Sequence, residues 1–520
     1  MLIPDSNVSL WIDTRSAPRF AALAGRLETE VLVVGSGITG LTAALLLQQA
    51  GRRVAVVEGL RLAQGVSGHT TAHVTEAVDA RYHALRADFG RDGARTVARS
   101  SRAAIELIRT LARTVTPRCD LTPVPGFLYS ESADDAGALN DEMEAAREAG
   151  LVVSMTQDVP LPFPVAAAVR FEDQARFHPR RYLVPMAEEI VRGGGRVFTE
   201  TRVLDIEGGE PCRVETDRGP ITAGHVLVAT HSPLNKLFLQ TRVAPYRSYV
   251  LALRVDRPVG DALFWDTGSP YHYVRRQRVA QEDLVIVGGE DHKVGHESDT
   301  AARYEGLLEW SRERFTVRSV EYRWSAQTVE PVDGLPYVGT TPQSDRVLVA
   351  TGYSGNGMTF GTVAAILMRD LVLGRANEWA ELYATGRIKP LAAARDFVSE
   401  NVDVATRFVA DRLRPPAADE VGVEPGQGRV VDRGGEKLAV FQPESGDAAV
   451  VSAICSHLGC VVTWNSAERS WDCPCHGSRF AVDGAVIDAP ATRRLEARPA
   501  RGVEQPDDAG GTARSGTPRA

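Results

Sequence analysis

ETEVLVVGSGITGLTAALLLQQAGRRVAVVEG, residues 28–59, decides the fold. An apolar run that reads as a buried strand leads into a glycine turn, an apolar helix and a second strand closing on an acid, Glu58. That order is one βαβ unit. In GSGITG, residues 35–40, Gly35 permits the tight turn, Gly37 lets the backbone approach a pyrophosphate, and Gly40 allows close helix–strand packing; Ser36, Ile38 and Thr39 complete the loop. The N–H groups at the helix start are left for phosphate oxygens, and Glu58 stands where it can take ribose hydroxyls. A bound dinucleotide is expected. The fingerprint alone does not choose between FAD and NAD.

Outward from this unit, helix and strand patterns alternate to about residue 385, with strand-like HVLVAT at 225–230, LVIVGG at 284–289 and RVLVAT at 346–351. The fold class is therefore α/β. A chain of 520 residues implies two or three cores. Its 43% hydrophobic content is that of a globular protein, and a net charge of -8 offers nothing to nucleic acid. The N-terminal stretch carries no secretory pattern, so a cytoplasmic protein is expected, with docking on the inner face of the membrane left open. The longest apolar helical stretch, TVAAILM at 362–368, is broken by Arg369 and Asp370, well short of the ~20 residues that span a bilayer. No transmembrane segment is expected.

The C-terminal part reads differently. FVSENVDVATRFVADRL, 397–413, has a helical pattern, and RPPAADEVGVEPGQG, 414–428, has a linker's composition. KLAVFQ, AVVSAI, CVVTW and RFAVDG then follow as short alternating segments between glycine turns, as in a small all-β domain. The expected organisation is a dinucleotide-binding α/β unit over 1–410, a linker over 411–428, a β domain over 429–500 and a disordered tail over 501–520. Cys119 and Cys212 are isolated, whereas Cys455, Cys460, Cys473 and Cys475 crowd into CSHLGC and CPCHGS together with His457 and His476. Two thiolates and two imidazoles suit a cluster with two cysteines on one iron and two histidines on the other; the same ligand types could also hold zinc.

Four further stretches carry a resemblance: GVSGHTTAHVT at 65–75, TAGHVLVAT at 222–230, YVRRQRVAQEDLVIVGGEDH at 273–292 and VLVATGYSGNGMTFGT at 347–362. Together they resemble the D-amino-acid oxidase family of FAD enzymes, the glycine and sarcosine oxidase group, over about residues 28–385. The resemblance implies FAD on a Rossmann-like domain with an interleaved β-sheet substrate domain. It implies that Gly352, Gly355, Asn356, Gly357 and Met358 set backbone N–H groups at the flavin's pyrimidine edge, where the following helix dipole favours negative charge. His69, Thr70, Thr71, Val203 and Thr230 complete the implied cofactor set. His69 and His73 lie where some members attach FAD covalently. The family's chemistry implies oxidation of a C–N bond in an amine or amino acid, with His292 and Tyr273 as candidate catalytic groups and Arg247 or Arg275 as candidate carboxylate anchors.

CSHLGC, NSAERSWDCPCHGSRF and the trailing IDAPA resemble the Rieske [2Fe-2S] domain over about residues 425–500. That resemblance implies Cys455, His457, Cys473 and His476 as ligands and a Cys460–Cys475 disulfide, as in respiratory members. Ser478 matches a hydroxyl that bonds cluster sulfur there, but Phe480 replaces their tyrosine. One such hydrogen bond is worth ~1.5 to 3 kcal/mol, or roughly 60 to 130 mV for one electron. Rieske potentials span about -150 to +300 mV, so a middle value is expected. The fusion implies a dehydrogenase whose flavin empties one electron at a time through the cluster to a ferredoxin, cytochrome or quinone. A Rieske oxygenase is excluded, because nothing after the cluster motifs could supply its mononuclear iron site. An NAD(P)H reductase would want a second fingerprint, which the sequence lacks; a redox sensor without turnover would keep both cofactors.

Overall fold

The computed structural model describes residues 3–4, 7–234, 238–387 and 422–499. The helical stretch 397–413, most of the linker and the tail lie outside these residues. The architecture is mixed α/β with a small C-terminal β domain, as the α/β alternation implies.

The first sheet is built on Leu27–Val34, which runs parallel to Val54–Val57 on one side and Ile221–Val228 on the other, with Val34 opposite both Val57 and Val228. Ser344–Thr351 extends it in parallel beyond Ile221–Val228, and Arg196–Phe198 beyond Val54–Val57. Both faces of such a sheet are covered, which is why these strands read as unbroken Val and Leu rather than alternating. One covering helix, Ile38–Gln49, is buried over most of its length; it packs against a second, Gly357–Val372. Gly361 makes the crossing possible, since a Cβ there would fall 2.7 Å from Ile38 and 2.8 Å from Thr39. The N-termini of both helices open on one cleft.

The second sheet holds nine strands. Its spine is Val317–Pro331, Val243–Val255, Glu282–Lys293 and Tyr273–Val279, all antiparallel neighbours. This sheet forms the wall facing the nucleotide sheet across a cleft. Among the described residues no helix is long and apolar enough to cross a membrane.

The C-terminal domain stacks a three-stranded sheet, Gly428 to Ser452, and a four-stranded one, Thr463 to Asp488, around its own core with Trp471 and Phe480 fully buried. It is seated on the second sheet. Asn465 Oδ1 accepts from Thr300 Oγ1 at 2.8 Å, and Thr300 Oγ1 accepts from Ala467 N–H at 3.0 Å. Gly295 meets Pro474, Gly477 meets Pro245 and Gln327, and Arg202 donates to Val486 O at 2.9 Å.

Candidate functional site

The cleft between the sheets begins at the glycine loop. Gly35, at φ +108°, leaves its Cβ position 2.4 Å from Ala229 O, and a Cβ on Gly40 would fall 2.0 Å from Gly35 O. Only glycine fits either place. Neither N-cap residue, Gly37 or Asn356, caps its helix with its own side chain; Ile38 N–H donates to Ser67 Oγ at 3.1 Å, and the N–H groups after it are left for an anion. Glu58 Oε2 accepts from Ser36 N and Oγ at 2.9 and 2.8 Å, which holds its carboxylate at the rim. The cleft is lined by Gly35 to Thr39, Glu58, His69, Thr70, Thr71, Val203, Thr230 and Gly355 to Met358. Gly40 and Gly352, also expected at the cofactor, serve from behind: Gly40 under the loop, Gly352 at φ +78° against Pro331. A cleft that takes in the glycine loop and both helix starts has the lining a dinucleotide needs. His69 Nδ1 is tied to Gly65 O at 3.1 Å, and burial lowers its pKa.

The far end of the cleft is made by Asp79, Ser248, Trp265, Tyr271 and Tyr273. Tyr273 OH shares a 2.7 Å hydrogen bond with Ser248 Oγ, and burial raises its pKa. Asp79 faces the cleft and accepts from Gly355 N–H at 2.6 Å; the walls around it raise its carboxyl. Behind Ser248 and Tyr271 lies Asp291, pushed up to about 6 by burial against the hydrogen bonds those two supply.

Of the candidate catalytic residues, Tyr273 alone lines the cleft. His292 turns to Tyr249 OH at 3.0 Å and to Lys293 O at 2.9 Å. Arg275 is fully buried, donating to Thr71 O and Ala72 O at 2.9 Å each and to Gln277, so its charge is spent on the backbone under the cleft. Arg247 donates to Ser325 Oγ at 2.6 Å and to Glu468 of the C-terminal domain. These placements correct the expectation of a carboxylate anchor: both guanidiniums already have partners. Asp79, Asp291, Tyr271, Trp265 and Gln327 were not singled out in the sequence, where each is one polar or aromatic residue on a loop or strand with no motif around it.

The cysteine loops are a matched pair. Gly459 N–H bonds Cys455 O and Gly477 N–H bonds Cys473 O, each at 3.0 Å. Cys455 and Cys473 are buried, unbridged and hydrogen-bonded to one another, while Cys460 and Cys475 form a disulfide that clips the loops together. The His457 and His476 rings stand 5.2 Å apart, and His476 Nδ1 is buried without a hydrogen-bond partner. Burial, then the neighbouring His457, hold the pKa of His476 down at about 4. A contacting pair of thiols and a neighbouring pair of imidazoles on two matched loops, with an orphaned ring nitrogen, fit the ligand types of a [2Fe-2S] cluster. The Ser478 hydroxyl reaches Cys455 and accepts from Ala491 N–H at 3.0 Å; Phe480 is fully buried nearby.

A fold of this kind with these two centres defines a flavoprotein oxidoreductase carrying an iron–sulfur domain. Residues 30–371 match the FAD dependent oxidoreductase family, and residues 415–499 match the Rieske [2Fe-2S] domain. The chain belongs to that oxidoreductase family, binds FAD and carries a Rieske [2Fe-2S] cluster. It is 32% identical over 490 residues, 94% of this chain and 96% of the other, to YhfW of Bacillus subtilis (strain 168), which bears the name of a Rieske 2Fe-2S iron-sulfur protein. It is 24% identical over 375 residues, 69% of this chain and 87% of the other, to gamma-glutamylputrescine oxidoreductase of Escherichia coli (strain K12). The glycine oxidase of Geobacillus kaustophilus shares the fold at a TM-score of 0.59 and 18% identity, covering 70% of this chain and all of that one.

Proposed function

We propose that the protein is a dehydrogenase that oxidises a C–N bond of an amine or amino acid and hands the electrons singly to an external one-electron acceptor, a ferredoxin, cytochrome or quinone. When bound, FAD supplies two-electron chemistry and the Rieske cluster one-electron transfer. The observation that carries the reading is the seat of the cluster loop. Gln327 lines the flavin cleft, and a Cβ on Gly477, next to the cluster ligand His476, would lie 2.9 Å from its Nε2. The loop that carries His476 thus rests on a residue of the cleft lining, and Asp488 and Ala491 of the same domain line the cleft as well.

This chain's residues prepare the substrate. Electrons leave a carbon beside nitrogen most readily when the nitrogen is neutral, so an ammonium must first lose a proton. Asp291, at about 6, is ionised at neutral pH and accepts that proton by way of Ser248 and Tyr271. Trp265 and Tyr273 wall the nitrogen's surroundings from bulk water. The names of the relatives, an oxidoreductase of gamma-glutamylputrescine and a glycine oxidase, point to the same bond.

The test is anaerobic mixing of the oxidised holoprotein with a panel of amines, amino acids and NAD(P)H, following flavin bleaching and the cluster's EPR signal. Bleaching by a C–N substrate, followed by the Rieske signal, is expected. Bleaching by NAD(P)H alone would make the protein a reductase.

A further inference from the structure

The far end of the cleft has a charge pattern that selects among C–N substrates. Its described lining offers one carboxylate, Asp79, and no Lys or Arg; the acid, base and Asp488 that also line the cleft, Glu58 and Arg202 among them, sit at the glycine-loop end. The second carboxyl, Asp291, lies just behind, and its Oδ1 is sealed from solvent with no hydrogen-bond partner. Asp79 is close enough to raise Asp291 further. Aromatic rings complete the chamber: His73 stands 5.6 Å from Trp265 and 5.9 Å from Tyr273, and Tyr271 lies 5.9 Å from Tyr273. His73 is only 8% exposed, lines the cleft, and presents an Nε2 with no partner.

An α-amino acid brings a carboxylate as well as an ammonium. In this chamber that carboxylate would meet Asp79 and find no guanidinium in the lining: Arg247 and Arg275 are spent on Glu468 and on backbone carbonyls, and Arg81, outside the lining, already acts on Asp79. Two carboxylates brought together with no cation in the chamber's lining repel one another. An ammonium without a carboxylate has the opposite fit: a carboxylate to pair with and the faces of Trp and Tyr to lie against.

We propose that the far end of the cleft binds a cationic amine lacking an α-carboxylate, with Asp79 as its counter-ion and Trp265, Tyr271 and Tyr273 as its aromatic walls. This rests on the C–N dehydrogenase reading and narrows it to amines over amino acids. The chemistry covers both alkyl monoamines and diamines, and the two are told apart by the probes.

The experiment uses the full-length, FAD- and cluster-loaded protein without oxygen. n-Butylamine and 1,4-diaminobutane are titrated beside their α-carboxylated counterparts, norvaline and ornithine, and binding is read from the shift of the flavin absorbance before any bleaching. At least one amine is expected to bind about tenfold or more tightly than its carboxylated partner, and Asp79→Asn is expected to remove about tenfold or more of that affinity. FAD content and the cluster's EPR signal should stay as in the parent, because an asparagine oxygen can still accept from Gly355 N–H. The comparison within the parent protein stands even if the variant fails to fold. Equal or tighter binding of norvaline or ornithine overturns the proposal, and if either also bleaches the flavin the C–N reading survives. No shift and no bleaching with any of the four, together with bleaching by NADH, overturns both.

Discussion

The two ends of the flavin cleft are built on opposite plans. At the glycine-loop end the groups that count are backbone groups, Gly35, Gly37 and the N–H donors of Ile38–Gln49, and they follow one another along the chain. At the substrate end they are side chains delivered by separate segments: Asp79 from a loop, Ser248 from Val243–Val255, Trp265 from Leu263–Asp266, and Tyr273 from Tyr273–Val279. A backbone site is specified by spacing and survives sequence drift. A side-chain site is specified by the register of a sheet, and each member can be exchanged singly. The first kind fixes what cofactor is held; the second decides what is oxidised.

The cluster loops belong to the first plan with the ligands added, so they should break completely. Cys455→Ser or Cys473→Ser is expected to abolish the Rieske EPR signal while FAD is retained. Loss of both cofactors would show that the two domains do not fold separately.

The domain seat is the next largest effect. Arg247, on the second sheet, and Arg479, in the iron–sulfur domain, both grip Glu468, and all three side chains are buried. Burial works to raise Glu468, but the two guanidiniums outweigh it and hold it at about 2, against an ordinary 4.5. Removing one partner of a buried pair costs about 3–5 kcal/mol, so Arg247→Leu should lower resistance to urea, read at the cluster's absorbance. The double variant with Glu468→Leu should recover much of the loss. Because the folded carboxyl is depressed, its contribution is complete above pH 4.5 and fades as pH falls towards 2. A seat lost already at pH 6 would contradict this origin.

The smallest effect sharpens the comparison inside the cluster site. Phe480 is fully buried in the core that holds the four cysteines, at the position where the respiratory members that this domain resembles carry tyrosine, and Phe480→Tyr should raise the potential by roughly 60 to 130 mV, the equivalent of one hydrogen bond to a charged group. An unchanged potential in a redox titration would mean that the new hydroxyl bonds elsewhere.

The same contrast explains what could be read from the sequence. Residues 28–59 announce strand, turn, helix and acid in order, and the structure forms them as Leu27–Val34, Ile38–Gln49 and Val54–Val57. CSHLGC and CPCHGS likewise carry their own spacing, and the loops bring the four expected ligands together with the Cys460–Cys475 disulfide beside them. His292 and Tyr273 show where such reading stops. Both sit on strands of the substrate sheet, yet Tyr273 enters the cleft while His292 packs against Tyr249. The difference depends on strand register, including the irregularity between Arg247 and Tyr249, which no local pattern reveals. The binding of Arg247 by Glu468 was equally hidden, since 221 residues separate them.

The most direct test of a single electron path from flavin to cluster is to reduce the flavin selectively by light without oxygen, freeze within milliseconds and integrate the Rieske EPR signal. With the cluster loop seated on Gln327 of the cleft lining, the cluster signal should rise as the flavin reoxidises, at a rate independent of protein concentration. A rate that grows with protein concentration, or a cluster that stays oxidised beside reduced flavin, would contradict transfer within one chain.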